Sequence, residues 1–528
     1  MAGSRPRASH QYLTLAAMIF AVSMTFIDMT IVAIASPEIQ KELGLSQEGL
    51  QWVINGYLLS LAALFAFGGR LSDIAGHTRV VVVGVVVFTV ASALNGLTPS
   101  GSIAEAWIIT FRVVQGAGAA LLFPSALALV MSSFPLERRG QATAIFFGIA
   151  GGLTAVGPIA GGYLAEWTWR AIFWVNIPVA IIGLVLMAFA RPHADPRPAP
   201  LDWRGLALIV PGMALSVLGL QQSSVWGWTS PLTIGSIVVG VALLVVFVWV
   251  EHRTENPLIR VENFRKRAFA AENGVLFFAL MVFVPMFFFG SMYAQISLGW
   301  QASEAGLYLL IFFAGFAPAV QIGGRLLDRI GAKVPVTVGC AVATVGYALW
   351  AWKLGDLSAS AQWPYIVVAG AGTGLMLGPS NTDAVNRAGP GAFGEGTGVT
   401  QTVRNFGSAL GLAVLGTLLI TGSTARIEST LEDAGLSRHQ ADEVAHSLSR
   451  TGGGATGSFS PSGSSSQDRQ IYEDVQRDFA EANQVVFYGM AGAMGAALLV
   501  ALFALPGGRQ ESEEDPGPHP DERITAHH

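Results

Sequence analysis

Long apolar runs recur along the whole chain of 528 residues, and this pattern limits the possible folds more than any other feature. Each run is long enough to cross about 30 Å of hydrocarbon, which takes roughly 20 residues of helix. With 52% hydrophobic and only 12% charged residues, the chain is too apolar for a soluble globular protein. The sequence therefore predicts an all-α membrane protein with about fourteen transmembrane helices. We place these helices near residues 12–36, 49–70, 79–98, 104–131, 141–163, 170–190, 204–222, 231–251, 268–294, 302–326, 334–352, 361–385, 395–420 and 483–506.

Basic residues are concentrated in alternate breaks between the runs, beginning with Arg5 and Arg7 and ending with Arg509 and Arg523. Lysine and arginine accumulate in loops that stay in the cytoplasm. Most tryptophans, Trp363 among them, lie near the other ends of the predicted helices, as expected at a membrane interface. This alternation predicts a multi-pass protein of the inner or plasma membrane with both termini in the cytoplasm.

The same polar stretch occurs twice between apolar runs: GGRLSDIAGHTRVVVVG begins at Gly68, and GGRLLDRIGAKVPVTVG begins at Gly323. The offset of 323 − 68 = 255 residues fits a parallel repeat of two six-helix halves with two helices inserted between them. Glycines permit a tight turn and close helix approach, and an aspartate can cap a neighbouring helix N-terminus or pair with an arginine. The repeat predicts a cytoplasmic gate loop formed by Gly69, Asp73, Gly76 and Arg79, and a second copy formed by Gly324, Asp328 and Gly331.

Two segments are too polar to lie in the membrane. Residues 421–482 contain the low-complexity run TGGGATGSFSPSGSSS and predict a long, partly disordered outer loop, and residues 507–528 predict a disordered cytoplasmic tail. Tail histidines without neighbouring cysteines or carboxylates are usually solvated, so we expect no metal site at His519, His527 and His528. The remaining predicted regions are a cytoplasmic N-terminus (1–11), an N-terminal six-helix half (12–190), a linker (191–203), two inserted helices (204–251), a basic cytoplasmic loop (252–267) and a C-terminal six-helix half (268–506).

Charged residues inside the predicted helices are candidates for function, because a carboxylate there costs roughly 2.5 kcal/mol or more. Asp28 and Arg112 both lie roughly 10–12 Å from the outer ends of their helices, so they can meet. Burial favours a protonated carboxyl and a nearby cation favours the ionised form, and a group between these influences can exchange a proton. The alternative is a fixed structural pair. Glu272 is a second coupling candidate or a snorkelling side chain at the inner interface.

Four stretches resemble known transporter motifs. GRLSDIAGHTRV resembles the signature loop of the major facilitator superfamily, which implies that fold, with two six-helix halves plus two inserted central helices. FIDMTIVAIASPEI, RVVQGAGAALLFPS and AVGPIAGGYL resemble motifs of its fourteen-span drug:proton antiporter family, the EmrB and QacA branch. The resemblance implies proton handling by Asp28 and Arg112. It also assigns an antiporter helix motif to Gly157, Pro158, Gly161 and Gly162.

The fifth predicted helix and several aromatic residues each allow two interpretations. Gly148 with Gly152, and Gly157 with Gly161, permit either ordinary close packing or a sliding contact, and Pro158 permits a bend. Asp383 and Arg387 stand four residues apart and predict a local surface pair.

A cavity with aromatic walls would accept flat, lipophilic and often cationic molecules, but the same residues can simply pack between helices. The candidate cavity residues are Phe26, Tyr57, Gln115, Phe123, Phe287 and Arg404.

Several function classes are not indicated. The sequence has no G-x-x-x-x-G-K-[ST] phosphate loop, no nucleic-acid patch beyond the basic inner loops, and no nucleophile and base that suggest an enzyme. We therefore expect a monomeric, proton-coupled antiporter that exports small amphipathic or lipophilic compounds, as in multidrug or antibiotic efflux, by alternating access and without a cofactor. The alternatives are a dedicated exporter of a single metabolite or lipid-like compound, and a membrane receptor or scaffold that does not transport.

Overall fold

The computed structural model describes residues 8–192, 196, 198–389, 392–434, 439 and 466–509, and these residues form helices and loops without a strand. A 3₁₀ helix spans Val261–Arg265. The α-helices are α1 (Ala8–Leu43), α2 (Gln47–Ala75), α3 (His77–Gly96), α4 (Ala104–Ser133), α5 (Leu136–Trp167), α6 (Ala171–Trp174), α7 (Asn176–Ala190), α8 (Trp203–Gln221), α9 (Ser223–Trp226), α10 (Pro231–Glu251), α11 (Arg267–Ile296), α12 (Ala302–Ile330), α13 (Lys333–Leu354), α14 (Ala359–Arg387), α15 (Phe393–Asp433) and α16 (Ser466–Ala504).

Twelve segments of the described chain are long and apolar enough to cross a membrane. One of them, Ala171–Ala190, joins α6 and α7 into a single crossing. Outside this group, α5 and α14 are helices of 32 and 29 residues that pack within the same bundle. The all-α membrane fold is thereby confirmed, and the twelve segments together with α5 and α14 are consistent with about fourteen crossings.

The helices form two halves, each with its own apolar core. In the first half, α2 and α3 pack on α4, and α1 packs on α5 and α7. In the second half, α12 and α13 pack on α14, and α11 packs on α15 and α16. The inserted helices α8 and α10 pack on each other, and α8 also contacts α2 and α15. The halves meet where α2 packs on α15 and where α5 packs on α12.

The predicted loop 421–482 is wrong at both ends, because α15 continues to Asp433 and α16 begins at Ser466. Residues one helical turn apart in these extensions, Ile427 with Leu431 and Val475 with Phe479, are buried in the apolar core of the second half. This amphipathic spacing stabilises the two helices beyond the expected membrane boundary. The low-complexity run and the tail histidines lie outside the described residues.

Candidate functional site

Asp28 on α1 is completely buried and accepts hydrogen bonds from two side chains of α4. Arg112 Nη1 lies 2.6 Å from Asp28 Oδ2, and Gln115 Nε2 donates to Asp28 Oδ1 over 2.8 Å. Arg112 Nη1 also donates to Gln115 Oε1 over 2.9 Å, which closes a three-residue ring of contacts. The matched depths of Asp28 and Arg112 thus correspond to a direct ion pair between α1 and α4.

The other contacts of Arg112 fix its position against α2. Its Nε donates to the carbonyl of Val53 over 2.8 Å, and its guanidinium carbon lies 4.4 Å from the ring centroid of Tyr57. Asn95 on α3 donates to Gln115 Oε1 over 2.9 Å. Tyr57 and Gln115, predicted as cavity residues, therefore belong to this buried network, which ties four helices together. In this conformation, exchange of a proton at Asp28 requires the network to open.

The two repeated loops make equivalent contacts across the interface between the halves. Asp73, at the end of α2, accepts from the backbone N–H groups of Gly394 and Glu395 over 2.9 and 2.7 Å. Asp328, at the end of α12, accepts from the backbone N–H groups of Gly140 and Gln141, both over 2.9 Å. Asp73 thus caps the N-terminus of α15 in the opposite half, where unpaired N–H groups and the helix dipole favour a carboxylate. Asp328 binds backbone N–H groups in the second turn of α5, also in the opposite half. We call these two contacts the latch, and this end of the bundle the latch end.

Paired glycines bring the helices of the latch close together. A Cβ atom at Gly69 would lie 2.2 Å from the carbonyl oxygen of Gly394, and one at Gly324 would lie 2.4 Å from that of Gly140. Real Cβ atoms do not approach backbone so closely, so the latch requires glycine at these positions. Gly76 and Gly331 end α2 and α12 with φ values of 92° and 86°, which a residue with a side chain rarely adopts. The repeated motif therefore specifies the same kind of contact between the halves at two places.

The expected pair between Asp73 and Arg79 does not form among the described residues, because Asp73 faces α15 and Arg79 is exposed. Arg70 takes that place in the latch, with its Nη1 atom 3.7 Å from Glu395 Oε2. Glu395 also accepts from the backbone N–H of Arg260 over 2.7 Å, which joins the basic loop to the latch. Sequence reasoning missed Glu395 because its partner is more than three hundred residues away; its position after Gly394, at the start of a helix, is the available signal.

Glu272 lies in the second half, away from the Asp28 network. It is fully buried between α11 and α14, where the Ser380 hydroxyl donates to its carboxylate, so the expectation of a snorkelling side chain is wrong. Asp383 pairs with Arg387 over 2.5 Å as its spacing predicts, but Asp383 is buried and the pair is not a surface pair. Asp383 and Ser380, the hydrogen-bond donor to Glu272, both lie on the last turns of α14, where the polar side chains of this helix are buried.

The glycines of α5 have two different surroundings: Gly157 lies in a close contact between helices, and Gly152 faces open space. A Cβ atom at Gly157 would lie 2.0 Å from the Thr30 hydroxyl, so this glycine is required where α5 crosses α1. A Cβ atom at Gly152 would meet no atom within 4 Å. The helix continues through Pro158, Gly161 and Gly162 to Trp167. The antiporter motif thus lies on an unbroken helix that packs against the helix bearing Asp28.

The aromatic cavity candidates pack mainly with one another. Phe123 is buried, and its ring centroid lies 5.8 Å from that of Phe26 and 6.4 Å from that of Phe147. Phe287 stacks on Phe313 in the second half. A cavity of about 610 Å³ lies elsewhere, between the inserted helices and α11 and α15, and its walls contain none of the predicted cavity residues or the Asp28 network. We therefore do not assign the candidate site to it.

A comparison with family profiles matches the Major Facilitator Superfamily over residues 18–218 and again over 203–412. The tetracenomycin C resistance and export protein of Streptomyces glaucescens is 34% identical over 77% of this chain and 75% of its own length. Multidrug resistance protein Stp of Mycobacterium tuberculosis is 31% identical over 80% of this chain and 79% of its own. Cephamycin export protein CmcT of Amycolatopsis lactamdurans is 33% identical over 79% of this chain and 87% of its own length.

Solved structures show the same fold at low sequence identity. The proton:xylose symporter XylE matches with a TM-score of 0.57 and 12% identity, over 86% of this chain and 96% of the symporter. The human organic anion transporter MFSD10 matches with a TM-score of 0.54 and 14% identity, over 93% and 99% of the two chains. At this identity the likeness concerns the arrangement of helices alone.

Proposed function

This chain belongs to the major facilitator superfamily of multi-pass membrane transporters, and from that premise we propose that it is a proton-coupled antiporter that exports small amphipathic or lipophilic compounds. Export is supported by relatives that are themselves named as export or resistance proteins. The four stretches quoted from the sequence favour the fourteen-span drug:proton antiporter family within the superfamily. The proposed location is the plasma membrane, with both termini in the cytoplasm and a single chain as the working unit.

The observation that carries the proposal is the fully buried contact of Asp28 with Arg112 and Gln115. When a proton neutralises Asp28, the attraction between α1 and α4 weakens, and Arg112 keeps only its neutral partners. When the proton leaves, the ionised carboxylate draws Arg112 and Gln115 back. Protonation therefore changes the free energy of contact between two helices of the first half, as proton coupling demands.

The latch supplies the second part of alternating access. We assign the latch end to the cytoplasmic side, because the loops there carry most of the basic residues. With both aspartates bound to backbone N–H groups of the opposite half, the halves are closed on this side. Rocking of the halves breaks both contacts and opens a path from the cytoplasm to the midplane. The proton gradient drives this cycle, so no cofactor takes part in it.

The relatives differ in whether their names refer to one exported compound or to many. Tetracenomycin C and cephamycin each name a single compound in the relatives, whereas Stp is named for multidrug resistance. A dedicated exporter of one metabolite therefore remains the second candidate. A panel of antibiotics and dyes separates the two, since a dedicated exporter acts on one compound class.

The test uses inverted membrane vesicles with the full chain and an imposed pH gradient, acidic inside. We expect wild-type vesicles to accumulate at least one compound of the panel, and Asp28→Asn to reduce gradient-driven accumulation about tenfold or more, because the neutral amide cannot exchange a proton. Asp356→Asn, which changes an exposed carboxylate at the other end of the bundle, should retain wild-type accumulation. Accumulation that ignores the gradient, or that survives Asp28→Asn, contradicts proton antiport through Asp28 and favours the fixed structural pair.

A further inference from the structure

Arg404 on α15 is a buried cation without a carboxylate partner among the residues that the structure describes. Only 9% of the residue is exposed. A buried charge is costly unless it is paired, and Arg112 in the first half shows the usual arrangement with Asp28. Arg404 makes its hydrogen bonds to Asn381 and Gln401 and is not part of the Asp28 network.

The side chain lies between the two halves, and its distance from the latch end of α15 is about half the thickness of a hydrocarbon core. Arg404 is 11 residues beyond Phe393, the first residue of α15, which corresponds to roughly 16 Å along the helix. Its guanidinium carbon lies 5.6 Å from the ring centroid of Phe147, and Phe147 belongs to α5 of the opposite half. In transporters of this architecture, ligands bind near the midplane at the interface between repeats.

The hydrogen bonds around Arg404 leave donors free. Its Nη1 atom donates to Asn381 Oδ1 over 3.1 Å and to Gln401 Oε1 over 2.6 Å, so both partners are neutral carbonyl oxygens. Arg404 Nε and Asn381 Nδ2 are buried and have no hydrogen-bond partner. Buried donors are nearly always satisfied, and each exception requires an explanation. The two amides orient the guanidinium without neutralising its charge.

On α5, which carries Phe147, open space begins one turn beyond the contact with α12. Gln321 on α12 donates to the carbonyl of Ala144 on α5 over 2.9 Å, and a Cβ atom at Gly148 would lie 3.0 Å from Gln321. One turn further along the same face, a Cβ atom at Gly152 would meet nothing within 4 Å. α5 thus contacts α12 at the level of Gly148, and open space lies beside Gly152.

We propose that Arg404, with Asn381 and Phe147, forms a binding site for an aromatic acid, and that the exported cargo carries such a group. This inference rests on the proposed export function and adds the chemical class of the cargo. The carboxylate or phenolate accepts from Arg404 Nε and Asn381 Nδ2, and the aromatic ring packs on Phe147. Cationic cargo is disfavoured, because Arg404 repels it and both Asp28 oxygens already accept from Arg112 and Gln115.

The test measures binding to the purified full chain in detergent, with an anthraquinone carboxylate and its methyl ester as probes. The two probes have the same ring system and differ in charge. We expect the acid to bind the wild type about tenfold or more tightly than the ester, the factor for a charge-assisted hydrogen bond. Arg404→Gln should remove this preference while the ester binds within about twofold of its wild-type affinity. Arg404→Lys should restore part of the preference, because it keeps the charge.

Arg329→Gln is the matched control, since it removes an exposed arginine of the second half and should leave both affinities unchanged. Equal binding of acid and ester by the wild type, or equal losses of both in Arg404→Gln, would overturn the proposal, and the wild-type comparison decides even if the variant fails to fold. No proton gradient is involved in this measurement. Asp28→Asn should keep the preference for the acid, so failure of proton coupling and failure of this site are distinguishable.

Discussion

At the scale of single residues, Gln115 is the amide that connects the Asp28–Arg112 ion pair to a third helix. It donates to Asp28, accepts from Arg112 and accepts from Asn95, so one amide connects the ion pair to α3. An Arg–Asp pair alone would leave Asp28 Oδ1 buried without a donor. The amide therefore orients the carboxylate and satisfies it, and its removal disturbs both members of the pair.

Gln115→Leu should destabilise the protein by about 1–3 kcal/mol, because Asp28 Oδ1 and the Asn95 amide lose their partner while they remain buried. Unfolding of the purified protein in detergent, followed against temperature or denaturant, measures the change. Gln295→Leu is the control, since within the described part of the chain Gln295 bonds only to Ser291 of its own helix. We expect it to cost less than about 0.5 kcal/mol. Equal effects of the two substitutions would show that the network adds no stability.

The Asp28 contact illustrates what a sequence can indicate at this scale. Two costly charges at equal depth indicated that Asp28 and Arg112 can meet, and the structure places them in contact. Asn95 was not predicted, since a polar residue in an apolar helix does not specify the direction of its side chain. Tyr57 and Gln115 were predicted as cavity residues because depth alone cannot separate a residue that faces a cavity from one that packs behind it.

At the scale of helices, the latch consists of two carboxylates that bind backbone N–H groups of the opposite half, and of two pairs of glycines. Each aspartate accepts from two backbone N–H groups near the start of a helix of the other half, and those bound by Asp73 have no partner within their own helix. The contact depends on charge and on backbone position, and it can therefore break and reform as the halves rock. A substitution that removes a cap should favour the conformation in which the halves separate at this end.

Asp73→Ala and Asp328→Ala should each weaken the latch by about 0.5–2 kcal/mol, the usual contribution of a helix cap at Asp73 and of hydrogen bonds at Asp328. The ratio of closed to open latch should fall by up to about 30-fold. Distances between spin labels on α2 and α15, or on α5 and α12, measure this ratio in detergent or nanodiscs. Asp356→Ala, at the other end of the bundle, should leave the distances unchanged. Unaltered distances in both latch variants would contradict the assigned role of the caps.

Helix packing also explains which parts of the latch the sequence could predict. The repeat located both loops, and capping was one of two expected roles for Asp73. Its actual partners on α15 depend on how the halves dock, which local patterns do not contain. The same is true of Arg70 and Glu395, whereas the exposed Arg79 was chosen for its proximity in sequence.

At the scale of the whole molecule, two properties of the chain determine the architecture. The apolar runs specify membrane helices, and the internal repeat specifies two halves with an inserted pair. Both were predicted from the sequence, because hydrophobic length and repetition are properties of the chain itself. The extensions of α15 and α16 were missed because their polar faces resemble a loop in composition. The closed state of the latch follows from a balance between halves that sequence patterns do not report.

The most direct measurement follows protons and cargo together in proteoliposomes that contain the full chain. A concentration gradient of the compound that vesicles accumulate best is imposed, with no initial pH difference, and a pH indicator reports proton movement. Proton-coupled export predicts proton flow opposite to the cargo in the wild type, and loss of that flow in Asp28→Asn. Cargo movement without proton movement in the wild type, or the same proton flow in Asp28→Asn, would contradict coupling through this residue.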